Sequence, residues 1–155
     1  LFYWTTLDGA PVETTDWHHI QSDGLAWDEK NKRCLRFDVE REWLLVKTLV
    51  EDPEARVQWV FANHRVEALL IEWARARGES SETIVRAMDV MLEPHPGGAH
   101  DDHVHVRTQC TAEEISAGCE PTGPPREWLV KLDRAVEPAS DPELALTLFH
   151  PFARP

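Results

Sequence analysis

Apolar side chains recur at helical spacing in three stretches of the chain, and these stretches predict three helices. A polar residue that can cap a helix precedes each one, and proline or glycine ends the first two. The predicted helices cover about residues 39–51, 64–77 and 82–92. The predicted caps are Asp38, Asn63 and Ser80 or Ser81.

Strand patterns occupy three shorter stretches, at residues 2–6, 57–61 and 103–109. The first is aromatic and β-branched, and the second is an almost continuous apolar run that predicts a central strand. Residues 8–34 are rich in Asp, Gly, Thr and Pro, and they predict a long loop. Such a loop either faces a substrate or is a surface insertion that Trp17 and Trp27 hold in place.

The order of these elements predicts an α+β domain, with a small, mainly antiparallel sheet flanked by three or four helices. The strand at 103–109 carries histidines and is expected to hold the functional site. Prolines and a glycine near residues 121–125 mark a boundary. We therefore predict one domain over residues 1–124 and a C-terminal extension over residues 125–155, with a further helical pattern at 126–136.

The composition narrows the classes of protein that the chain can belong to. An apolar fraction of 42% and 155 residues suit one globular domain with a core. Sixteen Lys and Arg against 28 Asp and Glu give a formal net charge of −12. This balance repels phosphate backbones, so we expect no nucleic-acid binding. No run approaches the ~18 apolar residues of a transmembrane helix, so we expect no membrane insertion.

Three imidazoles lie within six residues, at His100, His103 and His105. Polar and apolar residues alternate from His103 onward, which places His103 and His105 on one face of a strand and the valines on the other. Neutral imidazole is a common zinc ligand at ~2.0–2.1 Å, so the two rings can converge on one metal ion or one substrate. The alternative is a polar strand edge that carries histidines by composition alone.

The run from Gly97 to Cys110, Gly-Gly-Ala-His-Asp-Asp-His-Val-His-Val-Arg-Thr-Gln-Cys, resembles the C-terminal motif of the penicillin-insensitive murein endopeptidases. These are zinc peptidases of the lysostaphin, D-Ala-D-Ala-peptidase and hedgehog type. The resemblance extends from about Leu1 to about Pro124. Its supporting stretches are residues 7–12, 35–43 and 51–61.

This resemblance implies a role for each of the three histidines. His105 would be a zinc ligand, His103 would be a catalytic or transition-state group beside it, and His100 would be a further active-site histidine. In the family, zinc is also held by a His and an Asp of an upstream His-x6-Asp motif, which we expect ahead of Leu1. The 155-residue chain is therefore expected to be an incomplete fragment of the zinc site.

Three further expectations follow from the same resemblance. Trp17, His18, His19 and Asp23 have the wrong spacing to replace the upstream motif, and they fall in the predicted loop. The strand at residues 2–6 would follow the upstream ligands directly, so we expect it to lie beside the histidine strand. A fragment would also expose apolar faces, on Trp4 among others, so we expect a poorly soluble or dimeric chain.

The cysteines leave two readings open. Cys110 and Cys119 bracket a short loop after the histidine strand. Related endopeptidases carry a bridge near this point, and an oxidising compartment would make the pair a disulfide. The alternative is two unpaired, partly buried thiols. Cys34 either pairs with a cysteine upstream or is free.

The function that the resemblance implies is zinc-assisted hydrolysis of the peptide cross-links in bacterial peptidoglycan, in the periplasm or outside the cell. One alternative is a non-catalytic domain that binds the cell wall or acts as a scaffold. Another is a different metal-binding module that uses His100, His103 and His105 together.

Overall fold

The computed structural model of the chain describes residues 1–94, 100–124, 126 and 128. Within these residues it contains four helices, one 3-10 turn and two β-sheets, so the predicted α+β class is confirmed. The strands fall into a four-stranded and a three-stranded sheet rather than into one small sheet. The histidine strand belongs to the smaller sheet.

The four-stranded sheet is formed by the first 37 residues and is antiparallel throughout. Its strands are β1 (Trp4–Thr5), β2 (Pro11–Val12), β3 (Leu25–Asp28) and β4 (Arg33–Phe37), in the order β2-β1-β4-β3. The expectation that the first strand lies beside the histidine strand is therefore wrong. A tight turn at Gly9 (φ +92°) folds β2 back onto one side of β1, and β4 occupies the other side.

The prediction of a long loop over residues 8–34 is also wrong in its second half, where β3 and β4 form a hairpin. Leu35 and Phe37 are buried and Arg36 between them is exposed, as alternation along a half-buried strand requires. The buried Asp28 carboxylate holds the turn by accepting hydrogen bonds from Asn31 and Arg33. Burial alone would raise the pKa of Asp28, but these bonds outweigh it and lower the pKa to about 2.

The three-stranded sheet is built on β5 (Val57–Phe61), which is central as predicted. The strand β6 (Met91–Leu92) pairs with it in parallel, and β7 (His105–Thr108) pairs with it antiparallel. Met91 and Leu92 were predicted to end the third helix, but they form a strand that pairs with β5. The histidine strand begins at His105 rather than at residue 103 and forms one edge of this sheet.

The long helices follow their caps closely. They are α1 (Val39–Glu51), α2 (His64–Arg77) and α3 (Ser81–Val90), and a short α4 (Ala112–Ser116) follows β7. Side chains of Asp38, Asn63 and Ser80 accept backbone N–H groups at the three long helices, as predicted. A 3-10 turn (Pro53–Ala55) joins α1 to β5.

The core explains why one predicted exposed surface is absent. Trp4 is buried, with its ring in edge contact with Phe2, Phe37 and His18. Trp59 is half-buried. The expectation of an exposed apolar face on Trp4 is therefore wrong, and the expectation of poor solubility or a dimer loses part of its basis.

All the elements above belong to one compact unit, Leu1–Pro125. The predicted helix at 126–136 and most of the C-terminal extension lie outside the described residues. Among the described residues, no helix is both long enough and apolar enough to cross a lipid bilayer.

Candidate metal centre

The segment that leads into β7 is held by backbone hydrogen bonds from two distant parts of the chain. The Asn63 N–H donates to the carbonyl of His100 (3.0 Å), and the Ile20 N–H donates to the carbonyl of Asp101 (2.7 Å). His100 itself has a left-handed backbone (φ +64°), a conformation that costs energy for a residue with a side chain. The surrounding contacts therefore fix the position of this segment before any ligand arrives.

The structure brings the three predicted site histidines together. Ring centroids are 4.6 Å apart for His103 and His105, 4.8 Å for His100 and His105, and 5.2 Å for His100 and His103. One nitrogen of each ring lies within 4.8 Å of the corresponding nitrogens of the other two. These three imidazole donors could hold one metal ion.

The spacing of the nitrogens can be compared with what zinc requires. The Nε2 atoms of His103 and His105 are 2.7 Å apart. Two nitrogens at ~2.05 Å from a tetrahedral zinc are about 3.3 Å from each other. The two rings would thus have to separate by roughly 0.6 Å to share the ion, a small side-chain rotation. The nitrogens of His103 and His105 are therefore close to the spacing that one metal ion requires, and His100 is the third imidazole of the cluster.

Asp102 orients the ring of His103. Its carboxylate accepts from the Nδ1 of His103, so the other ring nitrogen, Nε2, is the one that faces His105. A carboxylate behind an imidazole fixes the tautomer and makes the opposite nitrogen a better ligand or base. Asp102 thus prepares His103 for a role at Nε2.

A fourth histidine reaches the same segment, although its spacing in the sequence excluded it. His19 Nδ1 lies 2.8 Å from a carboxylate oxygen of Asp101 and 3.8 Å from one of Asp102. The hydrogen bond with Asp101 raises the pKa of His19. Because 82 residues separate His19 from Asp101, no local pattern in the sequence could have paired them. The backbone bond between Ile20 and Asp101 is what places them side by side.

His18 and Asp23, which lie in the same irregular segment as His19, do not join the site. His18 is buried against Trp4 and hydrogen-bonds to Thr14 Oγ1 at 3.0 Å, so it is a core residue. Asp23 caps a turn by accepting the N–H of Leu25. Neither residue supplies a metal-binding atom to the three histidines or to the group of His19, Asp101 and Asp102.

An exposed tryptophan lies beside the histidines. The ring of Trp17, whose side chain is 60% exposed, stands edge-on to the ring of His103 with centroids 4.9 Å apart. Trp17 also lines a cavity of about 380 Å³, together with the exposed Trp27. Residues 13–24, still irregular as predicted, thus run past the site.

The segment after the histidine strand is closed covalently, since Cys110 and Cys119 form a disulfide. Arg107, on the same strand as His105, donates to the carbonyl of Glu120 (3.1 Å), which ties the strand to the end of this loop. Arg56 forms an ion pair with Glu114 at the start of α4. Cys34 is a free, half-buried thiol.

Comparison of the chain with protein-family models, with curated proteins and with solved structures found no match.

Proposed function

We propose that this chain binds zinc through its histidine cluster and acts in the hydrolysis of peptide cross-links in bacterial peptidoglycan. The observation that carries the proposal is the convergence of His103 Nε2 and His105 Nε2 at 2.7 Å, with His100 completing the cluster. The likeness of residues 97–110 to the murein endopeptidase motif supplies the substrate class.

Zinc bound by three protein ligands would lower the pKa of a water in its open position to ~7 and polarise the scissile carbonyl. His105, at the start of β7, would hold the ion through Nε2. His103 stands next to it, and the Asp102 carboxylate behind its ring orients the imidazole so that Nε2 faces His105. A protonated His103 would donate from Nε2 to the oxygen that gains negative charge in the transition state.

His100 supports the same chemistry from the third corner of the cluster. Its ring is 4.8 Å from the ring of His105 and 6.4 Å from that of Phe61. An imidazole here can exchange a proton with the attacking water or the leaving amine, as positioned histidines do in general acid–base catalysis. The Cys110–Cys119 disulfide favours an oxidising compartment, in keeping with a periplasmic or secreted enzyme.

A second candidate function is a metal-binding module without hydrolase activity, in which the three histidines alone hold the ion. The observation that favours it is that all three donors already lie within 4.8 Å of one another. Three neutral nitrogens with one open position are a sufficient set for zinc.

The test measures the zinc content and the activity of the purified chain together. Wild type, His105→Ala and a control variant, His64→Ala, are each incubated with zinc, desalted and assayed on cross-linked muropeptides. His64 is a matched control because its side chain is exposed, pairs with Glu93 and belongs to neither metal cluster. Activity is measured on the 155-residue chain and on the longest product that its coding sequence encodes.

The peptidase proposal expects cleavage of cross-links that needs zinc, is lost in His105→Ala and persists in His64→Ala. Bound zinc without cleavage by either form of the protein would favour the metal-binding module instead. If the protein neither binds zinc nor cleaves the cross-links, both functions are contradicted.

A further inference from the structure

A second set of metal donors lies beside the three-histidine cluster. It consists of His19 Nδ1, a carboxylate oxygen of Asp101 and a carboxylate oxygen of Asp102, all within 4.8 Å of one another. His19 comes from the N-terminal part of the chain and the two aspartates from the segment before β7. We propose that these three residues bind a divalent transition-metal ion of their own, separate from the ion of the three-histidine cluster.

The distances between the donors suit one ion. Ligands at ~2.1 Å from a metal are about 3.0 Å apart at a right angle and about 3.4 Å apart at a tetrahedral angle. His19 Nδ1 lies 2.8 Å from the Asp101 oxygen and 3.8 Å from the Asp102 oxygen, on either side of that range. For these two contacts, an ion would need only sub-ångström adjustments of the side chains.

The two carboxylates at this position would also be stabilised by a cation. Asp101 and Asp102 are adjacent carboxylates whose side chains are only 19% and 13% exposed. Among the described residues their ion pairs are with His19 and His103, and no Lys or Arg lies within 4 Å of either. Two neighbouring, largely buried negative charges repel each other, and a divalent ion would neutralise both.

The donor types narrow the choice of ion. One imidazole and two carboxylates form a mixed set that suits Zn²⁺ or Mn²⁺ better than Cu⁺ or Ca²⁺. The His19 side chain is 71% exposed, so water can fill the remaining coordination positions. Backbone hydrogen bonding of Ile20 to Asp101 holds the two halves of the site in register without the ion.

The two sites would be joined through Asp102. One of its oxygens accepts from His103, and the other faces His19. The same carboxylate would thus orient a histidine of the first site and bind the ion of the second. The proposal does not depend on the peptidase function, because it concerns ion binding alone.

The experiment counts the ions bound by the metal-free 155-residue chain. Zinc, and separately manganese, is titrated against a competing chromophoric chelator with wild type, His19→Ala, Asp101→Asn, His105→Ala and the His64→Ala control. Far-UV circular dichroism establishes that each variant is folded, and Asp101→Asn keeps the shape of the residue if His19→Ala does not fold.

We expect His19→Ala and Asp101→Asn each to weaken one zinc site by at least about 100-fold while leaving the other unchanged. His105→Ala should do the reverse, and His64→Ala should match wild type. If the His105→Ala variant retains a zinc site, the second site stands even where the peptidase function fails. Wild-type stoichiometry and affinity in both His19→Ala and Asp101→Asn, or no ion bound by wild type, would overturn the proposal.

Discussion

The carboxyl group of Glu42 makes the stability of this protein depend on pH in a direction that can be calculated. Glu42 lies on α1, its side chain is fully buried, and one oxygen accepts the N–H of Tyr3 at 3.3 Å. The other oxygen has no hydrogen-bond partner among the described residues. Burial raises the pKa of Glu42 from 4.5 to about 7, because the charged form loses its hydration.

The sign and size of the effect follow from linkage between protonation and folding. Since the folded state holds the proton more tightly than the unfolded state, the contribution of Glu42 to stability is greatest below pH 4.5. It is lost as the pH rises through about 7. With these two pKa values, the free energy of unfolding falls by about 2.5 kcal/mol between pH 5 and pH 8 on account of this group.

The substitution Glu42→Gln keeps the shape of the side chain and removes its titration. Urea unfolding of wild type and variant at pH 5 and pH 8 isolates the contribution of Glu42, because the histidines that titrate in the same window are common to both proteins. We expect wild type to lose about 2.5 kcal/mol more than Glu42→Gln over this range.

Glu40→Gln is the matched control, since Glu40 lies on the same turn of α1 with an exposed side chain. It should lose as much stability as wild type between the two pH values. An equal loss in wild type and Glu42→Gln would refute the reasoning, because it would mean that the carboxyl pays no desolvation cost in the folded protein.

Three further predictions concern the segment after the histidine strand and the hairpin of β3 and β4. Replacing Cys110 and Cys119 by Ser should lower the free energy of unfolding by about 2–3 kcal/mol, measured by urea denaturation, because the unfolded chain is freed of a short covalent loop. Gly123→Ala should cost about 1–3 kcal/mol in the same assay, since its φ is +120° and a Cβ would lie 2.6 Å from buried Gln58. Asp28→Asn should lower stability at pH 7 by about 2–3 kcal/mol. The variant should also lack the loss that wild type shows as the pH falls from about 4 towards 2, because the Asp28 pKa is depressed in the folded state.

Each of these predictions has an outcome that contradicts it. The disulfide argument fails if wild type under reducing conditions and the double variant are both as stable as the oxidised protein. Gly9→Ala is the control for Gly123→Ala, because Gly9 also has a positive φ but no atom within 4 Å of the added Cβ. Equal costs at the two glycines would show that contact with Gln58 contributes nothing. An Asp28→Asn variant that unfolds with the same acid profile as wild type would contradict the third.

The parts of the fold that the sequence predicted are those whose signals are local. The bounds of α1 and α2 follow from a cap, an apolar stripe and a terminator that are all neighbours in sequence. The hairpin of β3 and β4 was missed because its turn residues, Asp28 to Lys32, resemble the surrounding loop. Its second strand, β4, also pairs with β1, and no local pattern reveals that pairing.

In the candidate site too, the contacts between sequence neighbours were predictable and the long-range contacts were not. His103 and His105 converge because they are two residues apart, so their meeting was predictable even though the strand itself begins only at His105. His19 was excluded because its spacing did not fit a motif, and its contact with Asp101 spans 82 residues. Long-range backbone pairing, here the bond from Ile20 to Asp101, decides such contacts.

The two backbone bonds that hold the histidine segment have a consequence for how ligand binding and folding are coupled. Because Ile20 belongs to the N-terminal part of the chain and Asn63 caps α2, the donors of both clusters keep their positions only when both regions are folded. An ion that binds only this arrangement stabilises the whole protein, by about 2.7 kcal/mol at a hundred times its dissociation constant. Amide hydrogen exchange at Ile20 and Asn63 would then slow with metal concentration, so the two positions act as built-in reporters of occupancy.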